Sequence, residues 1–126
     1  MLGNSPVHPV LLAQDLAAAR HFYHDQLGLE IILEREGAIE FRCGQGTHLS
    51  VSKSTTGTAD SQTQIAWEVE DLQSEVDELR SRGVKIEHYD LPGLKTEDGI
   101  ADVGFGAMAW IIDPGRNALA ILERKR

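Results

Sequence analysis

Two stretches of the chain carry reactive side chains at alternate positions. In His48-Leu-Ser-Val-Ser52, the histidine and Ser50 and Ser52 share one face of an extended backbone; in Gln64-Ile-Ala-Trp-Glu68, Gln64 and Glu68 share a face with Ala66. His8 stands inside an otherwise apolar run, Val7 to Leu12. Imidazole titrates near neutral pH, so His8 could contact a ligand or carry a proton; it could equally be a satisfied polar residue in a core. Glu68 could serve as a general base or hold a basic ligand if it points inward, and would be solvated at a rim. Gln64 reads as a cavity-facing amide or as a hydrogen-bond partner for a neighbouring strand. If His8, His48 and Glu68 converged, they could form an unusual site for a divalent cation. Trp110 could line a pocket or lie below it, and Trp67 is expected to pack under a helix. Tyr89 and Phe105 could form a lid. Cys43 has no catalytic histidine or aspartate close to it in sequence, which argues against a nucleophile.

The elements that must position these groups follow from the hydrophobic pattern. Val7 to Leu12 reads as a buried strand, with Pro9 unable to donate to a ladder. Asp15 is an N-cap, and Leu16, Ala19, Phe22, Tyr23 and Leu27 fall at helical spacing up to Gly28. Glu30 to Glu34, Ile39 to Arg42 and His48 to Ser52 read as strands. The second half repeats the plan. Gln64 to Val69 is a strand, Asp71 an N-cap, and Leu72, Val76 and Leu79 a helical face stopped by Gly83. Val84 to His88 reads as a strand and Leu91 to Gly99 as a loop. Met108 to Ile112 and Ala118 to Leu122 form a hairpin around Asp113-Pro114-Gly115-Arg116-Asn117, where Gly115 and Asn117 tolerate positive φ. The expected fold is therefore α+β: two βαβββ modules, about 5–53 and 62–124, joined by a linker over 54–61. Side by side they would form a curved mixed sheet with helices outside and a concave pocket inside.

Composition narrows the function. The 126 residues suit one domain with a real core, since 41% are hydrophobic. The net charge of −8 argues against a nucleic-acid partner, which requires clustered Lys and Arg. No apolar run has the length of a membrane helix, and the first residues lack the pattern of a signal peptide. With one cysteine, no disulfide can form within the chain, and a cytoplasmic location is expected.

Three groups of residues carry a resemblance to a known family. They are Val7-His8 through Asp15-Leu16 with Phe22-Tyr23 and Leu27-Gly28; Trp67 through Asp71-Leu72 with Leu79 through Gly83; and Asp113-Pro114 with Asn117. In order and spacing the chain resembles the vicinal oxygen chelate superfamily, which includes glyoxalase I, extradiol dioxygenases and bleomycin-resistance proteins. The resemblance implies four metal-ligand positions, and these fall on His8, Ser50, Gln64 and Ala120. Alanine cannot ligate, and neutral serine and glutamine are weak donors for a divalent ion. The expectation is a small-molecule-binding protein with a degenerate metal site and no metal cofactor. Its ligand-binding candidates are His8, His48, Ser50, Gln64, Glu68, Trp110 and Ala120. The alternative is an enzyme of the same family, a lyase, isomerase or dioxygenase. It would use a divalent metal at a non-standard site, or metal-free acid–base chemistry with His8 and Glu68 as catalytic candidates. The expected partners are a small organic ligand and a second copy of the chain, with neither nucleic acid nor membrane.

Overall fold

Asp15 and Asp71 start equivalent helices in equivalent ways. Each has extended backbone, and each carboxylate accepts from the N–H three residues on, Ala18 and Ser74, at 3.1 Å. That satisfies a donor the helix itself leaves open. The computed structural model describes residues 1–54 and 63–125. The linker expected over 54–61 falls, apart from Ser54, outside the described residues.

The first module runs β1 (Val10–Ala13), α1 (Leu16–Arg20), β2 (Glu30–Arg35), β3 (Ala38–Arg42) and β4 (His48–Lys53). The α1 turn passes directly into a π-helical stretch, His21–Gln26, which the apolar spacing did not reveal. The wider turn keeps Phe22 and Tyr23 both buried, and Gly28 ends the helical stretch at φ +78°. The second module runs β5 (Thr63–Glu68), α2 (Leu72–Ser81), two short strands β6 (Asp90–Leu91) and β7 (Leu94–Lys95), then β8 (Ala101–Asp102), β9 (Gly106–Ile112) and β10 (Ala118–Arg124).

The βαβββ plan is present twice. The strands hydrogen-bond as two four-stranded sheets, ordered β1-β4-β3-β2 and β5-β10-β9-β8, rather than as one continuous ladder. In each sheet the first strand lies parallel to the last, and the remaining pairs are antiparallel. One core joins the modules. Leu11, Phe41 and Val51 from the first sheet share it with Leu119, Ile121 and Ile111 from the second and with Val76 and Tyr23 from the helical segments. Burial of that apolar area is the main favourable term holding the modules together.

Two sequence expectations need correction. The first strand begins at Val10, so Val7, His8 and Pro9 precede it and are exposed. Pro9 explains the start: it has no N–H, and its carbonyl accepts from Ser50 just before the ladder. Val84 to His88 forms no strand. Val84 and Ile86 are buried in alternation, but a single backbone bond, Glu87 N–H to the Trp110 carbonyl, ties the segment to β9. The same side of β9 is taken farther along by β8, at Met108 and Ala107.

The hairpin turn differs in a more local way. Positive φ falls on Arg116, at 68°, not on Gly115 or Asn117. Gly115 is required for closeness instead: a Cβ there would stand 2.7 Å from the Leu12 carbonyl oxygen.

Candidate functional site

Alternation gives each sheet a face turned away from the shared core, and these outer faces hold the candidate residues. On the first sheet the register aligns Val10, Ser50, Glu40 and Leu33 in one row, and Leu12, Ser52 and Ala38 in the next. His48 lies opposite Arg42, which pairs with Glu30. On the second sheet Ala66, Ala120 and Trp110 make one row, and Glu68, Leu122, Met108 and Ala101 the next.

The two outer faces differ in cover. On the second, Ala120 is fully buried in a cluster with Trp110 and Ala101, against which Tyr89, Leu94, Val103 and Met108 pack. Tyr89 meets Trp110 edge to face, with ring centroids 5.6 Å apart. The indole N–H of Trp110 donates to Thr63 Oγ1 at 3.0 Å. Trp110 thus lies beneath the Tyr89 segment. Trp67 packs on the helix side, against the main core. On the first outer face, Val10 and Leu12 stay 54% and 37% exposed, and Leu33 is exposed as well. Phe105 is exposed too, with the Arg124 guanidinium 5.8 Å from its ring centre.

The expected site residues fall into three places. His48 and Ser50 lie on β4 of the first sheet. Gln64, Glu68, Trp110 and Ala120 lie on β5, β9 and β10 of the second. His8 is exposed on the arm before β1. Glu68 is half exposed and accepts a hydrogen bond from Arg124 Nε. Among the described residues no group of three or more His, Cys, Asp or Glu side chains is placed to hold a metal ion. Within one chain, therefore, His8, His48 and Glu68 do not form such a group.

One outer-face residue escaped the sequence reading. Glu40 stands beside Ser50, its side chain only 20% exposed, with the guanidinium of Arg35 at 3.9 Å. The alternation of Ile39, Glu40 and Phe41 carried the signal, since both flanking residues are core residues.

A buried polar network lies between the modules. Tyr23 donates its hydroxyl to Asp113 Oδ2 at 2.5 Å. Asn117 donates its side-chain amide to the same oxygen at 2.8 Å and to the Leu12 carbonyl at 2.9 Å, and its backbone N–H to Asp113 Oδ1 at 2.7 Å. Burial, then the Asp113 charge and its hydrogen bond, hold the Tyr23 phenol far above its ordinary range. The phenol therefore stays neutral. This network is structural: every polar atom in it already has a partner within the chain.

Comparison with known proteins fits this geometry. The sequence profile of the Glyoxalase/Bleomycin resistance protein/Dioxygenase superfamily matches residues 5–121. Among solved structures, TnmS3, an antibiotic-binding protein from Streptomyces sp. CB03234, superposes with a TM-score of 0.75 at 17% identity, covering 99% of this chain and 100% of that one. A bleomycin-binding protein complexed with bleomycin gives 0.70 at 18%, covering 97% and 100%. The fosfomycin resistance protein FosX from Listeria monocytogenes gives 0.71 at 12%, covering 97% and 92%. At such identities these likenesses establish the fold alone. No curated protein matches the chain. No helix among the described residues is long and apolar enough to cross a membrane.

Proposed function

Because the chain belongs to the Glyoxalase/Bleomycin resistance protein/Dioxygenase superfamily, we propose that it is a small-molecule-binding protein whose metal-ligand positions have lost their donors. The observation that carries this reading is Ala120. At the position where the family resemblance puts a fourth ligand, a methyl group lies fully buried in an apolar cluster with Trp110 and Ala101. Ser50 offers a neutral hydroxyl, Gln64 a neutral amide, and His8 the single imidazole. This set does not fit a resident divalent cation, which needs several anionic or imidazole donors. The alternative of metal-free acid–base catalysis is weakened because Glu68 is engaged by Arg124.

The ligand is a small organic molecule held on the outer faces of the sheets by His48, Ser50, Gln64 and their neighbours, while Trp110 lies under the Tyr89 segment and supports the second face from below. The antibiotic-binding and bleomycin-binding relatives in structure support that class. A net charge of −8 favours a cationic or neutral ligand over an anion. The exposed Val10 and Leu12, on a sheet-edge strand, support a homodimer in which a second copy covers the first outer face. The protein works in the cytoplasm, in keeping with its single unpaired cysteine.

The test is elemental analysis of protein purified without chelators, with thermal-shift series in Mn, Fe, Co, Ni and Zn. A ligand that binds only the folded state raises the melting temperature with concentration. We expect no stoichiometric metal and no metal-dependent shift, but a concentration-dependent shift with bleomycin as the first organic probe or with members of a small-molecule library. About one metal per chain would overturn the reading and put the family's enzymatic chemistry first.

A further inference from the structure

A crevice of about 210 Å³ opens where the two modules meet, chiefly on the helix side of the second sheet, and reaches round the end of edge strand β5 to Glu68. The first module supplies Leu27 and Leu29, from the segment just after the π-helical turn; the second supplies Trp67, Leu79, Ile111 and Ile121. Val69 and two carboxylates, Glu68 and Glu75, complete the lining. The two carboxylates are not equivalent. Glu68 is taken by Arg124. The Glu75 side chain is exposed and makes no hydrogen bond or ion pair among the described residues; only its backbone is engaged, in the α2 helix and by its N–H to the Asp71 carbonyl. Glu75 precedes Leu79 by one helical turn of α2, so its carboxylate sits on the same helix face as an apolar wall residue.

An apolar cavity of about 150 Å³ is enough to bind benzene, so this crevice can take a single ring or a short alkyl body. It is smaller than the roughly 300–1,000 Å³ of drug-sized sites, which limits the occupant to a small molecule or one group of a larger one. A neutral hydrocarbon would leave Glu75 unused, and an anion would meet a carboxylate. A cation satisfies both halves of the site. The indole of Trp67 adds an aromatic face that attracts ammonium groups.

We propose that this crevice is a second ligand site, separate from the outer faces, for a small apolar primary amine. Its ring or alkyl body lies among Leu29, Leu79 and Ile121, and its ammonium rests on the Glu75 carboxylate. The site does not depend on whether the outer faces hold a ligand or a metal.

Benzylamine and benzyl alcohol test this, because they share a ring and differ in charge. Each is titrated into ¹⁵N-labelled protein at neutral pH, and amide and indole N–H shifts are followed by NMR. Benzylamine is expected to shift Leu27, Leu29, Trp67, Val69 and Leu79 saturably, with an affinity about three- to fivefold above that of the alcohol, the scale of one exposed ion pair. Glu75→Gln lies on an exposed helix position, so the fold should persist, and the amine should fall to the level of the alcohol. Equal affinities for the two probes, an unchanged response in Glu75→Gln, or shifts confined to the outer-face residues would each overturn the proposal.

Discussion

Asp113 shows how much one side chain can coordinate. It accepts from Tyr23, from the Asn117 amide and from the Asn117 backbone, all out of contact with water. Removing the phenol hydroxyl deprives a buried carboxylate of one of its donors. Tyr23→Phe is therefore expected to cost about 2 kcal/mol, measured by urea unfolding, the scale of a hydrogen bond to a charged group. The same residue gives the protein an alkaline limit. Its folded pKa is raised from the ordinary 10.0, so its contribution is complete below about pH 10 and is lost as pH climbs further, where only the unfolded chain ionises. Stability should thus fall above about pH 10, and Tyr23→Phe should flatten that slope. An unchanged slope in the variant would assign the loss to other groups. The turn chemistry of Asp113 to Asn117 was legible in the sequence, but its partners were not. Tyr23 is 90 residues from Asp113, and Leu12 is 105 from Asn117. No local pattern encodes a contact at such range. Among the site residues, the alternation of His48 with Ser50 could be read from sequence, and so could Tyr89 as a covering residue, which packs on Trp110; Phe105, the other expected lid residue, lies exposed instead, because no periodicity in its segment fixes where it points.

At the scale of elements, caps and hydrophobic faces were readable because they are local. Asp15, Asp71 and the faces containing Tyr23 and Val76 obey short-range rules, and the structure places them as those rules demand. Val84 to His88 misled because alternating burial is a property of packing, while a strand needs a free ladder partner, and β9 offers that segment a single bond. The π-helical turn was invisible because its apolar residues fit ordinary helical spacing almost as well. Close approach of backbones is another feature that sequence hides. At Gly106, a Cβ would stand 2.2 Å from the Glu123 carbonyl oxygen, inside the β9–β10 ladder. Gly106→Ala should destabilise by about 2 kcal/mol, within the usual range for overpacking. Asp71→Ala, which removes a cap and leaves packing intact, should cost about 1 kcal/mol. Equal losses in parallel melts would mean that the ladder gives way easily at Gly106.

The whole molecule has a finished side and an unfinished one. The shared core fills the helix side apart from the crevice beside Trp67, and the loop with Tyr89 packs on the second sheet over Trp110, while Val10 and Leu12 remain open on the first. If a second copy covers them, Leu12→Lys should convert a dimer into a monomer in sedimentation velocity, with little change in circular dichroism. A wild-type chain that sediments as a monomer would remove the dimer from the functional reading. The clamp of Asn117 on Leu12 bears on how the protein is made. A chain still leaving the ribosome, with residues 113–117 inside the exit tunnel, has its first module but lacks the groups that fasten it. The Tyr23 hydroxyl would then have no Asp113, and the end of β1 no Asn117. Folding should therefore complete late in synthesis rather than module by module, and arrested chains ending before Asp113 should be digested by protease where full-length chains resist.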